Sequence, residues 1–123
     1  MFSGNNDDIS NNVTEINGKS ILVQRLDGFN ADDLRTSIDR YKDKLKSAIV
    51  VLGASEKGKA KIAIGVTKDN TELVHAGELI KKIAEVVGGK GGGRPDFAQA
   101  GGPEAKKLDE ALKLAKELIN SKI

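Results

Sequence analysis

The chain predicts a single small α/β domain: a mixed sheet of at least three strands, with a βαβ unit and a hairpin, packed with about three helices. Three observations predict it. Apolar runs of strand length alternate with stretches whose apolar residues recur at helical spacing. The 123 residues suffice for one core and fall short of two ordinary domains. Its 38% apolar and 31% charged residues are those of a soluble globular protein.

Taken in order, residues 1–12 are polar, acidic and rich in turn formers, and are expected to be a disordered lead-in or linker remnant. The domain itself is expected over residues 13–123. Ile21-Leu22-Val23, within Val13 to Leu26, is a β-favouring run bounded by Asn17-Gly18 and Asp27-Gly28, which predicts a strand. Asn30-Ala31-Asp32-Asp33 supplies a capping residue and first-turn acids for a helix; Leu34, Ile38, Tyr41 and Leu45 recur along it, and Lys42, Lys44 and Lys46 gather at its end. The continuous apolar run Ala48 to Ala54 fits a central strand covered on both faces and completes the βαβ unit. Ser55-Glu56-Lys57-Gly58 reads as a turn into a partly alternating strand, Lys59 to Val66. Leu73 to Val87 is expected to be helical, with Leu79, Ile80, Ile83, Ala84 and Val87 inward and Lys81 and Lys82 outward, as candidates for phosphate contact. A last helical stripe, from Ala105 and Leu108 to Leu118 and Ile119, opposes Lys106, Glu110, Lys113 and Glu117.

Between the last two helices lies Gly88 to Pro103, with seven of the chain's fourteen glycines and both prolines. It is expected to be a loop whose uncovered peptide N–H groups close on a phosphate. Pro103 is expected at the first turn of the following helix, whose free N–H groups favour an anion. Lys90 and Arg94, set among glycines, are read as phosphate contacts, with Gly91, Gly92 and Gly93 as backbone donors. Close packing of the glycines against the sheet is an equally good account of them. Asp96 is read as orienting Arg94 rather than as a general base, because no catalytic partner accompanies it. Phe97 either stacks on a base or anchors the block, and the presence of only four aromatics favours the anchor. Gln99 bonds either RNA or the block itself. Lone His75 is read as a surface or capping residue.

Other functions are disfavoured by what the chain lacks. Gly89-Lys90 is followed by Gly91, so the hydroxyl that a Walker A loop offers to magnesium is missing, and a helix rather than a strand precedes the block, against a dinucleotide fingerprint. Without cysteine there is no disulfide, thiolate zinc site or cysteine nucleophile, and one histidine argues against a histidine-built metal site. No apolar run approaches the roughly 20 residues that span a bilayer, and the N-terminus lacks the features of a signal peptide; a cytoplasmic protein without membrane partners is expected. The formal charge is +2, but Asp7, Asp8 and Glu15 all precede residue 19; without them twenty basic residues face fifteen acidic ones. That excess permits a polyanionic partner.

Ala76-Gly77-Glu78-Leu79-Ile80, followed by Val86-Val87-Gly88-Gly89-Lys90-Gly91-Gly92-Gly93-Arg94-Pro95-Asp96-Phe97-Ala98-Gln99-Ala100-Gly101-Gly102, resembles the C-terminal globular domain of alanyl-tRNA synthetase. Fainter similarity in Leu34-Arg35, Ile49 to Leu52 and Gly65 to Asp69 extends the likeness over about residues 17 to 123. The resemblance implies an excised tail that contacts tRNA(Ala) at the outer corner, where the D and T loops meet, and helps couple aminoacylation with editing. It implies no catalysis and no cofactor in this fragment; ATP, magnesium and zinc belong to other parts of the parent enzyme. It also implies other synthetase domains as partners and a homodimer of the full chain, so a protein-interaction or dimerisation module is an alternative. The same fold family includes a domain of DHH phosphodiesterases that grips single-stranded nucleic acid through G-G-G-H-x-x-A-A-G. Here Arg94 stands where that histidine would be, and the spacing to Gly101 is longer.

Overall fold

The computed structural model describes residues 13–16 and 18–122; the expected lead-in, residues 1–12, lies outside them. Six strands form one mixed sheet in the order β1-β2-β3-β4-β6-β5. The strands are β1 (Val13–Ile16), β2 (Lys19–Arg25), β3 (Ala48–Glu56), β4 (Lys59–Val66), β5 (Lys90–Gly93) and β6 (Phe97–Gly102). The helices are α1 (Ala31–Leu45), α2 (Ala76–Val86) and α3 (Leu108–Lys122), with short 3₁₀ turns at Lys68–Asn70 and Ala105–Lys107.

The strand expected at Ile21-Leu22-Val23, between Asn17-Gly18 and Asp27-Gly28, is β2, and β1 is a further strand antiparallel to it, with Gly18 at φ +79° where the chain reverses. α1 begins at a reciprocal cap: the Asn30 side chain accepts from Asp33 N–H and the Asp33 carboxylate accepts from Asn30 N–H. It carries β2 to a parallel partner, β3, which is the expected βαβ unit. β3 and β4 are joined by Lys57 and Gly58, both at positive φ, the two-residue turn whose twist suits a hairpin. α2 starts at Ala76, three residues later than the apolar pattern suggests, because Leu73 and Val74 belong to the turn after Asn70, both their N–H groups donating to Asn70 O.

Both faces of the sheet are covered, and β3 divides its side chains between them. Val50, Leu52 and Ala54 meet Leu34 and Ile38 of α1 on one face. Ile49 and Val51 meet the layer of α2 and α3 on the other, with Ile80, Ile83, Leu108 and Ile119. Two glycines set the seats. A Cβ at Gly53 would lie 2.9 Å from Leu108 Cδ1, and one at Gly65 would overlap Ile38 Cγ2. The crossover from β4 is closed by a partly buried polar knot. Asn70 is 0% exposed and donates to Thr67 Oγ1 (3.0 Å) and Ser47 Oγ (3.1 Å), while both hydroxyls bond the Asp69 carboxylate.

Gly65→Val should cost about 1–3 kcal/mol by overpacking against Ile38, read as a lower urea midpoint at unchanged slope. The bonds from Ser47 and Thr67, in that order, hold the Asp69 carboxyl below its usual range. A lowered folded-state pKa means the stabilisation is complete above the unfolded value and disappears as pH falls through the folded one. Urea midpoints measured from about pH 5 down to pH 2 should therefore drop less steeply in Asp69→Asn than in the parent chain.

Candidate nucleic-acid interface

Residues 88–103 are not a loop. They are an antiparallel hairpin in which β6 pairs with β4 on one side and with β5 on the other. The glycines here serve thinness rather than flexibility. A Cβ at Gly89 or Gly91 would overlap β6, and one at Gly93 would lie 2.5 Å from Phe97 O. None of Gly91, Gly92 and Gly93 has positive φ. Extended backbone points successive N–H groups in opposite directions, so these three amides cannot converge on one phosphate. The expected helix start at Pro103 is also displaced: Gly101 and Gly102 end β6, and α3 begins only at Leu108. The reason is the close run of β6 beside Gly89, which keeps the chain extended through Gly102.

The turn of this hairpin is fastened through its carbonyl groups. Arg94 O accepts from Gly77 N–H (3.2 Å), Pro95 O from Ala76 N–H (2.9 Å) and Asp96 O from Val66 N–H (2.9 Å). Lys42 Nζ also reaches Asp96 O at 3.4 Å. Two of the donors are the first amides of α2, and His75 Nδ1 accepts from a third, Glu78 N–H (3.2 Å). His75 is thus the helix cap. The first amides of α2 are thus taken up by the protein's own turn and its own cap.

With the carbonyls turned inward, the side chains point out. Arg94 is 69% exposed and its Nε lies 3.6 Å from Asp96 Oδ1, so Asp96 stands where it can orient it. Lys90 is exposed and makes no ion pair with a described residue. Residues paired across the ladder share a face, which divides the expected site residues. Lys61, Gly101 and Lys90 form one row across β4, β6 and β5; Ala63, Gln99 and Gly92 form the next. Gln99 Nε2 donates to Ala31 O at 3.3 Å, so these rows face the α1 side. Gly91 and Gly93, opposite Ala100 and Ala98, face α2, whose Gly77 approaches Gly93 O. Lys81 and Lys82 are exposed on α2, on the far side of the sheet from Gln99.

α1 packs mainly on β3 and β4, and of the outer strands it meets Phe97 and Gln99 of β6. Its edge forms a wall beside them. The Arg35 guanidinium lies 5.4 Å from the centroid of the Phe97 ring, which is half-buried among Leu34 and Ile38: Phe97 is an anchor, and its outer surface carries a cation. Lys61 is held by Glu56 at 2.8 Å. Arg35 and Lys61 are members of this surface that sequence reasoning passes over. Alternation of Lys59 and Lys61 along β4 was the available signal for the second; nothing local marks the first. Among the described residues no three acidic or histidine side chains converge as metal ligands, and no described helix is long and apolar enough to cross a membrane.

The chain matches the DHHA1 domain family over residues 18–121. It is 46% identical to the alanine–tRNA ligase of Hydrogenovibrio crunogenus over 119 residues, 97% of this chain and 14% of that protein. It is 47% identical to the ligase of Cupriavidus necator over all 123 residues, again 14% of that protein. The chain therefore spans about one seventh of the length of these relatives. The C-Ala domain of Aquifex aeolicus alanyl-tRNA synthetase superposes with a TM-score of 0.78 at 30% identity, covering 87% of this chain and 96% of that one. A pGpG-specific phosphodiesterase from Vibrio shares the fold at a TM-score of 0.55 and 18% identity, over 96% of this chain and 38% of that one.

Gly77→Ala places a Cβ 2.6 Å from Gly93 O and should lift the hairpin off α2. The expected result is a loss of about 1–3 kcal/mol in stability, with faster hydrogen exchange at Ala76 and Val66 amides than at Val50 or Val51.

Proposed function

The chain belongs to the DHHA1 family, in the form of the C-terminal domain of alanyl-tRNA synthetases, and from that premise we propose that it binds tRNA(Ala) and catalyses nothing by itself. The observation that carries this reading is 46–47% identity to alanine–tRNA ligases across the whole chain. Contact with the outer corner of the tRNA, which helps one tRNA serve both aminoacylation and editing, is the task we assign to it. No cofactor is assigned to this segment; ATP, magnesium and zinc are needs of other parts of the parent enzyme. The other synthetase domains are its protein partners, homodimerisation is left to the full chain, and the cytoplasm is the setting.

Lys90, Arg94 and Arg35 supply the charge. Arg35 and Lys90 are not tied up in ion pairs with described residues, and Arg94 has only the long contact to Asp96. Such cations attract a polyphosphate backbone by releasing its counterions, so binding weakens as salt is raised. Lys81 and Lys82 lie on the opposite layer, where they would meet a second stretch of the same RNA. An assembly role would call for an exposed apolar face; among the described residues Leu73 is the one large apolar side chain that is strongly exposed, at 42%.

Titrating the chain with tRNA(Ala) at several salt concentrations should give log K falling linearly with log salt. Lys90→Ala and Arg94→Ala should each reduce that slope by about one, with folding unchanged. Binding that ignores salt, or fails at low salt, would remove the proposal.

A further inference from the structure

The sheet has a second edge, at the opposite end from the glycine-rich hairpin. β1 is the first strand of the order and pairs with β2 alone, so among the described residues the backbone groups on its outer side have no strand to bond. Thr14 and Glu15 are exposed there. Alternation divides β1 between the two faces. Val13 and Glu15 lie with Leu22 and Ser20 on the α1 side, where Val13 packs against the α1 core. Thr14 and Ile16 lie with Ile21 and Lys19 on the α3 side.

α3 packs on β2 and β3. Beside it a hollow of about 340 Å³ opens toward β1, with Thr14, Ile21 and Val23 below and Leu112, Lys113 and Lys116 of α3 above. Its lining holds three cations, Arg25, Lys113 and Lys116, and no carboxylate. Arg25 is held by Asp27 at 2.7 Å and by Asp109 at 2.8 Å, which offset its charge. Lys113 and Lys116 are exposed, one turn apart on α3, and make no ion pair with a described residue, although Glu110 and Glu117 stand at helical spacing from Lys113.

An open strand edge and a cationic rim beside it select the occupant. A strand added to β1 would lie about 5 Å outside it, with its side chains alternating between the two faces. Those on the α3 side meet Lys113 and Lys116 and favour acid. Those on the α1 side meet Val13 and Glu15, which favour an apolar residue and repel an acid. A second copy of this chain fits poorly, because twofold pairing of β1 with itself sets both copies' Lys113 and Lys116 on one face across the new pair. RNA offers phosphates to the lysines but no strand to the edge.

We propose that this edge receives an extended acidic segment of a protein partner, which adds as a strand beside β1 with alternate carboxylates against Lys113 and Lys116. The surface lies at the other end of the sheet from Lys90, so the proposal goes beyond RNA binding and does not rest on it.

The probe is a capped peptide of about eight residues alternating glutamate and valine, titrated into the isotope-labelled chain while amide resonances are followed. The amides of Thr14, Glu15, Lys113 and Lys116 should shift together while those of Lys90 and Arg94 stay in place, and affinity should fall as salt is raised. Lys113→Glu with Lys116→Glu, at exposed side chains, should weaken the peptide about tenfold or more with the unfolding midpoint unchanged. Replacing the peptide's valines by proline keeps its charge but removes its strand, and should abolish binding. The inference is overturned if the proline peptide binds as well as its parent, if the double variant binds equally, or if other amides respond. It is equally overturned if another occupant accounts for the surface. Shifts at these amides on raising the chain's own concentration would make it a second copy; shifts on removing residues 1–12, with no peptide present, would make it that segment. Displacement of the peptide by a blunt RNA duplex that moves the same amides would make it RNA.

Discussion

Three consecutive carbonyl groups, those of Arg94, Pro95 and Asp96, hold the glycine-rich end of this domain to its core. Their donors come from two different elements, the first turn of α2 and the end of β4, so the hairpin is tied both to the helix layer and to the sheet. Each bond satisfies a backbone group that would otherwise be an orphan at a helix start or a strand end. Pro95 suits the middle of such a turn because it has no N–H to lose. With its turn fastened, β6 lies flush against β4, and Arg94 projects from that turn into solvent.

Glycine does two opposite things in the sheet. At Gly53 and Gly65 its absence of a side chain is consumed by the protein, as α3 and α1 settle into the gaps. At Gly92 and Gly101 the gap is left vacant, on the α1 side of the sheet. The same residue type thus builds the core and leaves a surface bare, and only the surrounding atoms tell the two uses apart.

Local patterns made much of the architecture readable from the sequence. The run from Ala48 to Ala54 is buried on both faces, the Asn30 cap is in place, and the turn at Lys57-Gly58 is a hairpin turn. Gly88 to Pro103 was not readable, for a physical reason. Glycine's tolerance of many conformations makes a loop and a thin strand look alike, and what decides between them is pairing of β6 with β4, more than thirty residues earlier. The candidate residues were legible as chemistry and illegible as geometry. Lys90, Gly92 and Gln99 do share a face, whereas Gly91 and Gly93 turn toward α2 and Lys81 and Lys82 lie on the opposite layer. Arg35 sits one residue past the buried Leu34 and gave no sign that it would lie over Phe97, since that contact depends on how α1 crosses the sheet.

The placement of β6 has a bearing on how the chain is made. It is an inner strand, paired on both sides, yet it follows β4 only after a helix and another strand. As the polypeptide leaves the ribosome, the apolar rim from Ala60 to Val66 is complete well before its partner emerges, and an unpaired rim of that kind invites pairing with a neighbouring molecule. Lys59 and Lys61 at the start of that rim add charge that discourages such contacts while the nascent chain waits for Phe97 to Gly102.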